Sequence, residues 1–414
     1  MTSFALDAHL NGSVPLAWAL RTAGHEVRMA SHPAATDSIT RAGLTAIPVG
    51  SDHHLDAVVR QAGPGMYTTH QRPDFLNNRP ERLDLEFLRA SDTIITSMFC
   101  AQLNNDSMVD ELVQFARGWH PDLVIWEPFT FAGAVAARAS GAAHARLLSF
   151  PDTFLSVRQE FLRKMGGTWP ELYDDTLSEW LTWTLERFGC DFDEEIVTGQ
   201  WTIDQLPPSV GLALGQRMIP MRYVPYNGPG PAVVPDWLYG KPERPRVCLT
   251  LGETIRQTEF PNAVAVDDVF EAIGDLDVEL VATLNAEERA MVSRVPDNVR
   301  MVEHVPLHAL MPSCSAIVHH GGAGTWATAA VYGVPQIAMG WMWDAVYRAR
   351  RLEELGAGLH IPSFELTPED LRGKLAQLLE EPSFTQNAQL LHEQMRQSPT
   401  PNEVVAVLED AVAR

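Results

Sequence analysis

The chain has 414 residues, enough for two or three domains, and 45% of them are apolar, ample for buried cores. Its formal charge of −22 argues against a nucleic-acid groove and against an anionic membrane surface. No apolar run reaches membrane-spanning length and no basic segment leads into an apolar core at the start, so a cytoplasmic protein is expected, and the scattered Cys100, Cys190, Cys248 and Cys314 fit neither a zinc site nor a disulfide framework.

Strand and helix patterns alternate from the beginning. Residues 2–5 read as a short first strand, 6–13 as a loop holding His9, and 15–23 as a helix stopped by Gly24. Strands follow at 25–30 and 45–49, with a helix at 33–42 between them. This alternation predicts a parallel α/β domain, in which ligands sit at the carboxyl ends of strands. His9 falls just past such an end, where a neutral imidazole can take a proton from an alcohol. The competing reading is a surface histidine. Residues 52–82 are polar and read as a loop with short helices; 83–119 are mostly helical. PDLVIWE at 121–127 is a buried strand ending in Glu127, followed by a helix at 129–140 and a strand at 143–149. Glu127 can complement the dipole of that helix. The aromatic residues scattered over 151–190 read as helical packing.

Proline and glycine crowd 217–245, as in an interdomain linker. A second α/β pattern begins with the strand RVCLTLG and the turn Gly252-Glu253-Thr254. A helix at 264–273 and strands at 278–284 and 299–305 follow. Then comes a strand at 316–318, the turn His319-His320-Gly321-Gly322-Ala323-Gly324, and a helix at 325–332 stopped by Gly333-Val334-Pro335. A helix start presents unpaired N–H groups and a positive dipole end, and glycines let an anion approach. A phosphate is the natural ligand of such a turn; a tight connection is the plain alternative. A strand at 335–340, a helix at 345–355 that Asp344 could cap, and a helix opening at Thr367-Pro368 complete the pattern.

HHGGAGTWATAAVYGVPQ, with WDA and GAG downstream, resembles the donor-binding signature of inverting, two-domain glycosyltransferases of natural-product pathways (GT-B type). The resemblance runs nearly end to end. VPLAWALRTAGHEVR, NNDSMVDELVQFARGWHPDLVIWEPFTFAGAVAA, GQWTIDQLPPS, MRYVPYNG and VPLHALMPSC are similar to one branch, the macrolide aminosugar transferases that attach desosamine or mycaminose to polyketide lactones.

The resemblance implies two facing Rossmann-like domains with a cleft: an acceptor domain at 1–216, the linker at 217–245, a nucleotide-sugar domain at 246–384, and helices at 385–414 crossing back to the first domain. It implies transfer of a deoxy-aminosugar from a TDP-sugar to an aglycone hydroxyl, with no metal and no cofactor. His9 is the implied general base, supported by Glu127, with Asp7 as a rival partner. His320, Gly321, Gly322, Ala323, Gly324, Thr325 and Thr254 would hold the diphosphate, with His319 contributing or merely packing. Val305 and Pro306 would cradle the base, and Trp343 and Asp344 would meet the sugar. The aromatic residues of 151–190 become an acceptor pocket. A cytochrome P450-like auxiliary protein without haem function is an implied partner, and a homo-oligomer is left open.

The chain departs from the family at Ser149-Phe150, where relatives carry Trp-Gly, at Glu253, and at His304. Relatives also carry apolar residues ahead of residue 2, so either an upstream start or a stunted first strand with a stability cost is expected. Two rival readings stand: a nicotinamide oxidoreductase, against which no G-x-G-x-x-G follows the first strand, and a non-catalytic family member. The particular sugar, aglycone and hydroxyl stay open.

Overall fold

The computed structural model describes residues 1–62, 71–167, 173–228, 233–252 and 264–413. The chain divides into two compact units, Met1–Arg222 with Pro399–Arg414, and Tyr223–Ser398. Both are parallel sheets flanked by helices.

In the first unit, β1 (Met29–Ser31) pairs with β2 (Ala46–Pro48). β3 (Leu123–Trp126), β4 (Ala143–Leu148), β5 (Trp201–Asp204) and β6 (Met218–Pro220) pair in sequence order. Thr2 joins the two groups by parallel bridges to Ala30 and Trp126. The expected strand at 2–5 is thus reduced to Thr2. The reason is local: the Phe4 N–H donates to Thr130 Oγ1 and the Ala5 N–H to His32 Nδ1, so side chains replace the ladder. The order β2-β1-Thr2-β3-β4-β5-β6 reverses between Thr2 and β3. That reversal is a topological switch point, where parallel sheets open a crevice at their carboxyl ends.

The structure differs from the sequence reading in other places. His9 lies not in a loop but on a helical turn, Asp7–Leu10, that runs through a 3-10 turn into the helix Val14–Thr22. The stretch at 217–245 does not open as linker, because Met218–Pro220 is β6. β6 ends the sheet, where a proline costs no ladder bond on its free side. Near the C-terminus, the helix Pro401–Val412 lies in the first unit, with Val404 and Leu408 packed among Leu16, Ile203 and Met221. The helix Pro382–Gln397 lies in the second unit, where Gln389 Nε2 donates to the Gly333 carbonyl at 3.3 Å.

The second unit is one six-stranded sheet of β7 (Arg246–Thr250), β8 (Glu279–Thr283), β9 (Val299–Val302), β10 (Ala316–His319), β11 (Gln336–Ala338) and β12 (Gly358–His360), in the order β12-β11-β10-β7-β8-β9. This is the doubly wound arrangement, and its switch point lies between β7 and β10. The inner strands β7, β8, β10 and β11 are buried, mostly apolar runs, as cover on both faces demands. Among the described residues no helix is long and apolar enough to cross a membrane.

Candidate active site

Each unit places chemistry at its switch point. In the first, the carboxyl end of β3 delivers Glu127, which is buried. Its backbone N–H donates to the Thr2 carbonyl, which locks it beside the chain leading to His9. Glu127 Oε1 lies 2.8 Å from His9 Nδ1. Oε2 accepts from the Phe129 N–H at 2.9 Å and from the Thr130 hydroxyl at 3.0 Å. A carboxylate takes the ring N–H, so neutral His9 carries its proton on Nδ1 and its lone pair on Nε2. Phe4 lies 4.5 Å from the His9 ring between centroids, and Phe150 5.9 Å from it, edge-on. Phe129 stacks on Phe150 at 6.0 Å and meets Phe154 at 5.9 Å. A small cavity lined by His9, Ser13, Glu127 and Ser149 opens at this point. Asp7, the rival partner, sits on the same helical turn as His9.

In the second unit, β10 ends at His319. This residue is fully buried and both ring nitrogens are engaged: Nε2 donates to Gln336 Oε1 at 2.9 Å and Nδ1 accepts from the Gly321 N–H at 3.1 Å. Burial pushes its pKa down to about 3, so it is a neutral brace for the turn. His320 takes the other position. Its ring fills the space over two glycines: a Cβ on Gly252 would lie 2.0 Å from it and one on Gly322 2.4 Å. Gly252, at the end of β7, also has φ +82°. The two strands of the switch point therefore meet around one imidazole.

Gly322 caps the helix Ala323–Val331 without a side-chain bond. The first turn, with Ala323, Gly324 and Thr325, is half-buried to exposed, so its N–H groups remain at hand for an anion. Gly321 has φ +94°, and a Cβ there would lie 2.9 Å from Gly340 Cα. Beneath the turn, Arg348 donates from Nη2 to the Gly321 carbonyl at 2.6 Å and pairs with Asp344. Asp344 lies in the first turn of the helix Trp343–Glu354 and does not cap it; Met342 is the cap residue. Trp343 has φ +49°, which is strained for an aromatic residue. Val305 is buried and Pro306 caps a short helix just past the end of β9. Thr254 lies outside the described residues.

Arg348, Thr130 and Gln336 were not foreseen from the sequence. Arg348 follows Asp344 by one helical turn, and Thr130 follows Glu127 by three residues; those spacings were the available signals. Among the described residues no group of three or more histidine, cysteine, aspartate or glutamate side chains is placed to hold a metal ion.

The chain matches the family model "erythromycin biosynthesis protein CIII-like, N-terminal domain" over residues 18–252. The corresponding C-terminal domain matches residues 267–411. The chain belongs to the erythromycin CIII-like glycosyltransferase family. Aklavinone 7-beta-L-rhodosaminyltransferase of Streptomyces galilaeus is 60% identical over 422 residues, covering 100% of this chain and 95% of that protein. The 10-deoxymethynolide desosaminyltransferase of Streptomyces venezuelae is 50% identical over 415 residues, covering 100% of this chain and 97% of that protein. A solved structure, glycosyltransferase VinC in complex with dTDP, superposes with a TM-score of 0.88 at 42% identity, covering 100% of this chain and 99% of that one. This member of the CIII-like family is therefore a glycosyltransferase with the GT-B fold, as the sequence resemblance implied.

Proposed function

We propose that this glycosyltransferase moves a deoxy-aminosugar from a TDP-sugar to a hydroxyl of a polyketide aglycone, in one displacement with inversion. The observation that carries the chemistry is the 2.8 Å His9–Glu127 pair at a strand's carboxyl end. His9 Nε2 takes the proton of the acceptor hydroxyl. The acceptor oxygen bonds to sugar C1′ as the C1′–O bond to the β-phosphate breaks, and the electron pair leaves with TDP. Glu127 holds the Nδ1–H tautomer and offsets the imidazolium that forms. His320 and the N–H groups of Gly322, Ala323, Gly324 and Thr325 take the charge that develops on the leaving diphosphate. Asp344 and Trp343 meet the sugar, and Val305 and Pro306 the base. So written, the reaction calls on no metal, and activity is expected to survive a chelator.

Aminosugar donors are favoured by the relatives, named for rhodosaminyl and desosaminyl transfer. The aglycone is less constrained, since one relative is named for aklavinone and the other for a macrolactone. Stacked Phe129 and Phe150 beside His9 favour a flat, ring-fused aglycone, which offers a face to an aromatic wall. A cytochrome P450-like auxiliary protein belongs to the proposal as an activator, acting in the cytoplasm.

The test is incubation of purified protein with TDP-aminosugars and a panel of aklavinone-type and macrolactone aglycones, with and without the auxiliary protein. Mass spectrometry should find the aminosugar added to a polyketide. A protein that binds TDP but transfers no sugar to any of them, partner present, contradicts the reading. Full activity without the partner removes the activator alone.

A further inference from the structure

The segment that carries His9 has little sheet to hold it, because the strand ends at Thr2. Two histidines take over. His32 follows directly after β1 and is fully buried. His53 is half-buried and meets the His32 ring edge-on at 5.0 Å. Between them they hold the backbone of one residue. The Ala5 N–H donates to His32 Nδ1 at 3.3 Å, and His53 Nε2 donates to the Ala5 carbonyl at 3.1 Å. The next residue, Leu6, is the cap of the turn Asp7–Leu10, and its carbonyl accepts from the His9 N–H at 2.9 Å. Phe4, on the other side, packs on both the His9 ring and the His53 ring. The orientation of the Ala5 peptide thus sets the entry angle of the turn that presents His9.

We propose that His32 and His53 are positioning residues for glycosyl transfer: the two rings clamp the Ala5 backbone and so fix His9 against Glu127. The proposal rests on the reading of His9 as the base. The hydrogen bonds fix the protonation each ring needs. His32 Nδ1 must keep its lone pair for the Ala5 N–H. His53 Nδ1 must keep its own for the Leu55 N–H, which approaches at 3.4 Å. A proton on His32 Nδ1 sets two N–H groups against each other and opens the clamp, whereas one on His53 Nδ1 disturbs only the Leu55 contact and leaves the Nε2–H to the Ala5 carbonyl in place. Burial keeps both rings neutral. It pushes His32 down to about 4, with His53 adding to the fall and Asp52 and the nearby Leu103 backbone opposing it. It lowers His53 as well, against the Ala5 bond, Asp52 and Asp56, with nearby His54 adding to the fall.

The decisive variants separate shape from hydrogen bonding. His53→Leu removes the donor to Ala5, and His53→Gln restores it through Nε2. His32→Leu removes the acceptor, and His32→Asn restores it through Oδ1 without a titrating ring. Each folded variant is assayed for kcat, both KM values, TDP affinity by calorimetry, and amide exchange over residues 3–10. Loss of the clamp is expected to lower kcat by about tenfold or more, as misplaced catalytic groups do. Donor KM and TDP affinity should hold, and amides of 3–10 should exchange faster. His53→Gln and His32→Asn should recover most of kcat, and His32→Asn should also extend activity to lower pH. If His32→Leu does not fold, the other three variants decide. Wild-type kcat and exchange in folded His53→Leu would overturn the clamp. A His9→Ala control separates the two claims: if it too is fully active, the base assignment has failed, and amide exchange still reports whether the clamp exists.

Discussion

Arg348 donates to the Gly321 carbonyl at 2.6 Å while pairing with Asp344 one helical turn earlier. One buried cation therefore joins the turn proposed to hold the diphosphate to the acid proposed to meet the sugar. Burial lowers its pKa to about 9, so it stays charged at neutral pH. Arg348→Met is expected to weaken TDP binding about tenfold or more, because Gly321 and Asp344 lose their common anchor. It should also cost about 3 kcal/mol of stability, the scale for breaking a buried ion pair. Arg348→Lys should not rescue binding, since a point charge cannot span both partners. Calorimetry with TDP and a thermal melt check both numbers.

Glu127 uses one oxygen for His9 and the other for Phe129 and Thr130. An amide cannot accept at all three contacts. Glu127→Gln should lower kcat by about ten-thousandfold, the scale seen when a histidine base loses its carboxylate. TDP affinity should not move. A variant with near-normal kcat would place the orienting carboxylate elsewhere, with Asp7 first in line.

Gly252 faces the His320 ring so closely that a methyl group would sit 2.0 Å from it, at a φ of +82°. Gly252→Ala must push the imidazole aside and strain the backbone. Loss of TDP affinity, together with destabilisation of about 1–3 kcal/mol, is expected. Unchanged TDP binding in a folded variant would detach His320 from the donor site.

Asp204, at the end of β5, gives a pH prediction. Burial raises its pKa from 3.8 to about 7, helped by Asp152 and opposed by the Leu206 N–H and Arg146. Between these values the folded protein keeps a proton that the unfolded chain has released. Stability therefore falls as pH rises from about 4 to about 7 and stays lower above, by at most about 4 kcal/mol. Asp204→Asn keeps an acceptor for the Leu206 N–H without the charge. Its melting temperature should exceed that of the wild type at pH 8, and the gap should close towards pH 4.

The fold class was legible because both sheets are parallel and buried on two faces, so their strands appear as apolar runs between helices. β3 and β10 stood out for that reason. β5, β6 and β12 did not: Thr202 and Asp204 interrupt the first, Pro220 ends the second, and the third spans only Gly358–His360. The turn His319–Thr325 was legible from its glycines. The division of labour between its histidines was not, because only the buried contacts of His319 show that it braces rather than faces the turn. The Arg348 bond to Gly321 and the His32–His53 clamp were invisible for the same reason: the partners are backbone groups distant in sequence, which leave no mark on side-chain spacing.

The central claim is that His9 takes the acceptor's proton. The most direct measurement compares wild type and His9→Ala in single-turnover transfer from a TDP-aminosugar, with TDP affinity measured on the same preparations. The account predicts loss of transfer by about a thousandfold or more with TDP affinity unchanged. Transfer at the wild-type rate by His9→Ala would contradict it.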